Sequence, residues 1–318
     1  MDITAYQCPA CGSQIIAEDS SGISCNEGHH FPFISDSGIP VFESEDQDVN
    51  EYTIKEAAEI HDNALTWLLD TFSEDESELR TRLISRLRLQ KGQNILVTGA
   101  GAGNDIPYIA ECVGVEGKIF AQDYARQMLM VGAQRCEHLA DNNIEFSVSD
   151  ATNLPFRDNF FDAVYHFGGL NLFSDIGRGI SEMDRVVKAG GRVVFGDEGL
   201  PPWLRDTEYG RMIINNNALC EFEPPLEYLP VRARDVTLSW EVGYYFYVIE
   251  YTASNSDLPI EISIPHVGKR GGSIESRYFG VLEGVNPKLK ETLYEEAERR
   301  GLGRVEFLEA VLRDGLKK

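Results

Sequence analysis

The chain has 318 residues, 29 Lys and Arg against 52 Asp and Glu, and a formal charge of −23. Such an excess of acid repels phosphate backbones unless cations gather on one face, which disfavours nucleic acid as a partner. At roughly 150 residues per domain the length predicts two domains, or one with additions; no apolar run reaches the roughly 18 residues of a membrane helix, and the start shows no basic-then-apolar secretory pattern, so the expectation is a cytoplasmic protein with no membrane partner.

The first 45 residues are expected to form a small ribbon, from short β-like pieces at Ser13 to Ala17, Phe31 to Ile34 and Ile39 to Phe42. It is too short to bury a core alone. It carries Cys8, Cys11 and Cys25, followed by His29 and His30, a C-x2-C-x13-C-x3-H pattern. A two-residue gap lets two thiolates from one tight turn meet one ion, and the second pair closes a tetrahedron of the Cys3His type. The expected ion is a structural Zn2+ that gives the segment its fold. Either histidine can be the fourth ligand, and the spacing favours His29. Residues 1 to 54 hold ten acids and no Lys or Arg, so the ribbon and its acidic linker contribute −10 of the total charge.

Residues 46–90 read as a linker and two helices. Ile54, Ala57, Ala58, Ile60, Ala64, Leu65 and Leu68 share one face of the first. In the second, Leu79, Leu83, Ile84 and Leu87 point inward, while Arg80, Arg82, Arg86 and Arg88 read as a solvated face. From Gln93 strands alternate with helices. Strands are predicted at Asn94 to Thr98, Lys118 to Gln122, Ile144 to Val148, Phe161 to Tyr165 and Arg192 to Gly196, with helices between them. This alternation is the signature of an α/β fold with a parallel sheet. It defines a domain over 91–255, interrupted by a Pro-rich lid at about 199–235. Thr237 to Thr252 is aromatic and strand-like, and Ile260 to Ile264 is expected to add to it. Residues 256–318 form a C-terminal extension ending in a helical pair split at Gly301.

The first strand runs into Thr98, Gly99, Ala100, Gly101, Ala102 and Gly103, a turn in which the backbone can approach a ligand at a helix N-terminus. Asp123 lies 20 residues further on, at the end of the second strand, where an acid accepts hydrogen bonds from ribose hydroxyls. Asp150 and Ala151 close the third strand. Taken together, the run from about Gln93 to Gly196 resembles the class I S-adenosylmethionine-dependent methyltransferases, which are Rossmann-like, and particularly the type 11 branch with the ubiquinone and menaquinone C-methyltransferases. The resemblance implies S-adenosyl-L-methionine as cofactor. It puts the methionine end on the glycine turn, the ribose on Asp123, the adenine between Tyr124 and Met128, and the adenine amino group on Asp150 beside Ala151. Thr98 stands where that family has an acid, and Ala100 where Cys or Ser is common. The amino-group contact then falls to the Thr98 hydroxyl or to Asp105.

The ribbon resembles that of the guanine-N1 ribosomal RNA methyltransferases, which implies an RNA base substrate. The charge argues the other way, because an RNA-binding ribbon needs Lys and Arg. On the acceptor side, His166 and Phe167 follow the fourth strand, where the resemblance places the methionine and the transferred methyl. His166 reads as a general base or as a buried, hydrogen-bonded histidine; Glu198 reads as a proton acceptor or as a loop cap. Lys269, Arg270, Arg277 and Tyr278 form a basic island that suits capture of a carboxylate, phosphate or diphosphate, or else a salt-bridged surface loop. Trp240, Tyr244, Tyr245, Phe246, Tyr247 and Tyr251 are read as strand core or as a pocket lining. The expected function is methyl transfer to a small, anionic acceptor. An RNA base methyltransferase and a non-catalytic cofactor-binding or partner-binding protein are the alternatives.

Overall fold

The computed structural model describes residues 1–34, 37–42, 52, 54–139, 141, 143–279 and 286–317. The acidic linker expected at Glu43 to Glu51 lies outside the described residues. The chain forms two compact units, 1–256 and 257–318.

The first unit opens with a three-stranded antiparallel ribbon of β1 (Ile15–Glu18), β2 (Gly22–Cys25) and β3 (His30–Pro32). Helices α1 (Ala57–Phe72) and α2 (Glu76–Ser85) follow. Ser73, in the left-handed region at φ 53°, ends α1, and the Asp75 carboxylate starts α2 by accepting the Glu78 amide at 2.9 Å. Of the four arginines expected on a solvated face, Arg88 is exposed as expected, and Arg80, Arg82 and Arg86 are instead engaged by carboxylates. Arg80 is buried between Glu76 (2.8 Å) and Asp105 (2.7 Å), Arg82 reaches Glu74 and Glu241, and Arg86 meets Glu241. In so acidic a chain, carboxylates lie within reach of each guanidinium, and the pairs fasten α2 to its neighbours.

The central sheet is built from β4 (Asn94–Thr98), β5 (Lys118–Asp123), β6 (Asn143–Val148), β7 (Phe161–Phe167), β8 (Val187–Glu198), β9 (Arg234–Glu241) and β10 (Phe246–Thr252). Their spatial order is β6-β5-β4-β7-β8-β10-β9, with β10 the antiparallel member. Between them run α3 (Ile106–Val113), α4 (Arg126–Arg135), α5 (Ile176–Val186) and the short α6 (Pro202–Arg205) and α7 (Glu208–Asn216). Side chains alternate between the two faces of the sheet. Ile95, Val97, Ile119 and Ala121 pack with Leu79 and Leu83 of α2 and Ile106 and Ile109 of α3. Leu96, Phe120, Val164 and Phe195 pack with Ile180 and Met183 of α5 on the other face.

The strand-like run from Thr237 to Thr252 is a hairpin rather than one strand. Val242, Gly243 and Tyr244 all have positive φ and turn the chain back. Both closing strands are therefore complete by residue 252. Ile260 to Ile264 adds none, and these residues are irregular and exposed. The second unit holds α8 (Ile274–Phe279), α9 (Pro287–Arg299) and α10 (Arg304–Gly315). No helix among the described residues is long and apolar enough to cross a membrane.

The ribbon is joined to the central sheet. Val41 makes a parallel bridge to Val148, extending the sheet one segment beyond β6. Tyr6 is fully buried, with its ring centroid 4.9 Å from Phe156 and 5.6 Å from Phe42. Phe156 also meets Phe120 at 5.9 Å and Phe161 at 5.1 Å. Phe156 thus joins ribbon, sheet and loop in one aromatic cluster. Phe156→Ala is expected to lower the unfolding free energy by about 3–5 kcal/mol, read from urea melts; a loss under about 1 kcal/mol would show that the cluster does not carry the junction.

Candidate functional site

The carboxyl ends of β4, β5 and β6 are fixed by a buried polar chain. The Thr98 hydroxyl donates to Gln122 Oε1 at 2.5 Å, and the Gln122 amide donates to the Ser149 carbonyl. The Thr98 hydroxyl proton is therefore spent on Gln122. Asp105 is engaged by Arg80. Neither expected substitute for the missing acid is an open group.

After Thr98 the chain turns through Gly99, Ala100, Gly101 and Gly103. Gly99 has φ +63°, and a Cβ there would sit 2.8 Å from the His166 ring, so this position needs glycine for both reasons. The Gly101 amide, at φ +52°, donates to Asp123 Oδ2 at 2.6 Å, and the Ala125 amide donates to Oδ1 at 2.7 Å. Burial raises the Asp123 pKa, and these backbone donors act against it. Tyr124 beside it is 37% exposed. Met128 is instead buried under the turn with Ala57, Ala58, Ala102 and Ala125. Of the two expected adenine neighbours, Tyr124 is the exposed one. Asp150 accepts the Thr152 amide at 2.7 Å, and Ala151 beside it is buried. Asp123 and Asp150 therefore cap adjacent parallel strands at the edge where such sheets bind ligands.

His166 ends β7, next to β4, and is fully buried. Its Nδ1 lies 2.9 Å from the Thr98 carbonyl. A carbonyl only accepts, so the proton is on Nδ1 and Nε2 is left as an acceptor. Nε2 is buried and has no partner among the described residues. Burial, outweighing the carbonyl bond, lowers the pKa to about 4, and the ring is neutral near pH 7. Phe173 covers it edge-on at 5.1 Å, and Phe167 lies 5.1 Å from Phe246.

Glu198 ends β8 and is half-buried. Asp197 beside it is fully buried; it accepts amides from Glu198 (2.8 Å), Gly169 (3.3 Å) and Asn171. Burial first, and then the Glu198 carboxyl, push the Asp197 pKa well up. Asp197 pins the loop after β7, and Glu198 is left as the more accessible carboxyl. The roles of Gln122 and Asn171 carry no sequence signal beyond their positions near strand ends.

The basic island lies in the second unit and is largely engaged there. Lys269 pairs with Glu298 at 2.7 Å, and Arg277 Nε donates to the Gly271 carbonyl at 2.8 Å. The Arg277 Nη2 is buried with no hydrogen-bond partner among the described residues, and Tyr278 is exposed. No side-chain bond of Arg270 occurs among the described residues.

In the ribbon, ligating atoms of Cys8, Cys11, Cys25 and His29 all lie within 4.8 Å of one another. Cys11 and Cys25 sulfurs are 3.9 Å apart, and His29 Nδ1 is 3.6 Å from the Cys8 sulfur and 3.4 Å from that of Cys25. A tetrahedron with Zn–S of about 2.3 Å and Zn–N of about 2.0 Å has edges of about 3.8 Å (S to S) and about 3.5 Å (S to N). The donor set fits that ion. His30 faces away, 2.9 Å from Ser24 Oγ, so His29 is the histidine beside the three thiols.

The sequence profile of the ubiE/COQ5 methyltransferase family matches residues 72–198. Demethylmenaquinone methyltransferase of Geobacillus sp. is 36% identical over 115 residues, which cover 36% of this chain and 49% of that protein. The Staphylococcus epidermidis enzyme of the same name is 37% identical over 115 residues, covering 36% and 47%. The chain spans about half the length of these curated relatives. A solved structure of Haemonchus contortus phosphoethanolamine N-methyltransferase 2 with S-adenosyl-L-methionine superposes with a TM-score of 0.51 at 13% identity, covering 65% of this chain and 61% of that one, a likeness of fold. The matched segment, 72–198, contains the glycine turn and the strands β4 to β8 that position it, and its likeness is to the ubiE/COQ5 methyltransferases.

Proposed function

We propose that the chain is a cytoplasmic S-adenosylmethionine-dependent methyltransferase acting on a small-molecule acceptor, with a structural zinc ion in its ribbon. The observation that carries this reading is the convergence of the glycine turn, Asp123, Asp150 and the open Nε2 of His166 on one edge of the sheet. The cofactor supplies a methyl group on a sulfonium, transferred by in-line displacement. Asp123 is placed to take the ribose hydroxyls, and Asp150 with Ala151 the adenine. With Thr98 and Asp105 both engaged, the His166 Nε2 is the buried acceptor available to the methionine end or to an acceptor proton. Glu198 is the carboxyl placed to take a proton from the acceptor. Cys8, Cys11, Cys25 and His29 hold the zinc.

The named relatives act on a demethylmenaquinone, which favours a small organic acceptor over RNA. The ribbon's lack of Lys and Arg supports the same choice.

Calorimetry with S-adenosylhomocysteine tests the cofactor reading. One site per chain is expected, with Asp123→Ala weakening it at least ten-fold; no heat of binding would overturn it. Incubating the protein and deuteromethyl cofactor with a metabolite extract is expected to give a product heavier by one labelled methyl.

Elemental analysis is expected to find one zinc per chain, lost in Cys8→Ser. His166 predicts a pH effect. The unfolded chain takes up a proton below the ordinary pKa of 6.5, whereas the folded chain takes it up only near 4. Stability from this group is complete above pH 6.5 and falls by about 3 kcal/mol as pH drops towards 4. Urea melts should show His166→Asn losing that part of the slope.

A further inference from the structure

We propose that the N-terminal ribbon is a clamp for the loop at 149–157, so that zinc in the ribbon and the cofactor in the cleft strengthen each other's binding. This rests on the cofactor and zinc readings above.

The loop leaves β6 at Val148, which is bonded on both sides. Within the sheet it pairs with Asp123 of β5. On the outer edge its amide donates to the Pro40 carbonyl at 2.9 Å, and its carbonyl accepts the Phe42 amide at 2.8 Å. The next residues are Ser149, Asp150 and Ala151. The far arm of the loop is held by the start of the chain. The Asn153 side-chain amide donates to the Pro9 carbonyl at 3.3 Å. The Gln7 amide donates to the Pro155 carbonyl, and the Arg157 amide to the Ala5 carbonyl, each at 3.0 Å. From the opposite side Glu182 accepts the Leu154 amide at 2.9 Å, and Arg185 donates to the Leu154 and Phe156 carbonyls. The ribbon is thus one jaw and α5 the other.

The metal turn is part of the jaw. Pro9 lies between Cys8 and Cys11, and Gln7 directly precedes Cys8. The four ligands come from two places, the turn at 8–11 and the β2–β3 connection at 25–29, with one bridge between Gln7 and Gln14 alongside. The pairing of Ile15 with Cys25 and the Asn26 amide on the Gln14 carbonyl hold the strands beside these places, and the ion adds the tie between the turn at 8–11 itself and the 25–29 connection. Losing it frees Gln7 and Pro9, and with them the anchors at Asn153 and Pro155. Asp150 then loses the geometry in which it meets the adenine. Coupling between two ligands is reciprocal: the factor by which zinc tightens the cofactor is the factor by which the cofactor tightens zinc.

The test uses the full chain. Zinc is titrated against a chelating dye with and without saturating S-adenosylhomocysteine, and S-adenosylhomocysteine affinity is measured by calorimetry on zinc-loaded and zinc-stripped protein. A five-fold or larger change, equal in the two directions, is expected. Zinc and S-adenosylhomocysteine both binding with less than a two-fold mutual effect overturns the clamp alone; absence of either binding event overturns the underlying reading with it. Hydrogen exchange separates a local clamp from general unfolding. Stripping zinc is expected to speed exchange at residues 1–42 and 149–157 while β4 and β7 stay protected. Unchanged exchange at 149–157, or equal loss of protection in β4 and β7, overturns the proposal.

Discussion

The candidate site depends on one buried hydrogen-bond chain, from the Thr98 hydroxyl through the Gln122 amide to the Ser149 carbonyl. It crosses the carboxyl ends of three parallel strands and fixes their relative depth. The glycine turn starts one residue after Thr98, Asp123 comes one residue after Gln122, and Asp150 one residue after Ser149. A buried network of this kind holds a unique geometry when its members are satisfied. An acid in place of Thr98 would meet the Gln122 carbonyl oxygen as a second acceptor, so the departure at 98 and the presence of Gln122 belong together.

The same economy applies to charge. Asp123 and Asp197 are both held by backbone amides rather than by cations, and Asp105 has a buried arginine. His166 is neutral because burial costs its charged form more than one carbonyl bond returns. The carboxyl ends of the strands thus carry backbone dipoles, a histidine lone pair and carboxyls held by amides, with the Arg80 guanidinium committed to Asp105 and Glu76.

Much of this was legible in the sequence. β4 has the predicted bounds, because a short apolar run ended by glycines leaves little choice. The spacing pointed to Cys8, Cys11, Cys25 and one of two histidines; the structure gathers the three thiols with His29, while His30 faces Ser24 across the ribbon. Other features depend on contacts that one-dimensional patterns do not carry. The turn at Val242 to Tyr244 uses left-handed backbone at non-glycine residues, so the hairpin looked like one strand. The commitments of Thr98 to Gln122 and of Arg80 to Asp105 join residues 24 and 25 positions apart. The basic island drew attention as a reversal of charge, yet Lys269 and Arg277 are engaged by groups of their own unit.

The Val41 to Val148 bridge has a consequence for where this protein can be cut. The outer edge of β6 would present unpaired amides and carbonyls if residues 40–42 were absent, and a bare edge is a template for pairing with another chain. The segment that matches the family profile, 72–198, keeps the glycine turn, Asp123, Asp150 and His166 but has neither that cover nor β9 and β10. It is a unit of sequence descent and not a unit of folding. An excised catalytic piece would be sticky at one margin and missing its last two strands at the other.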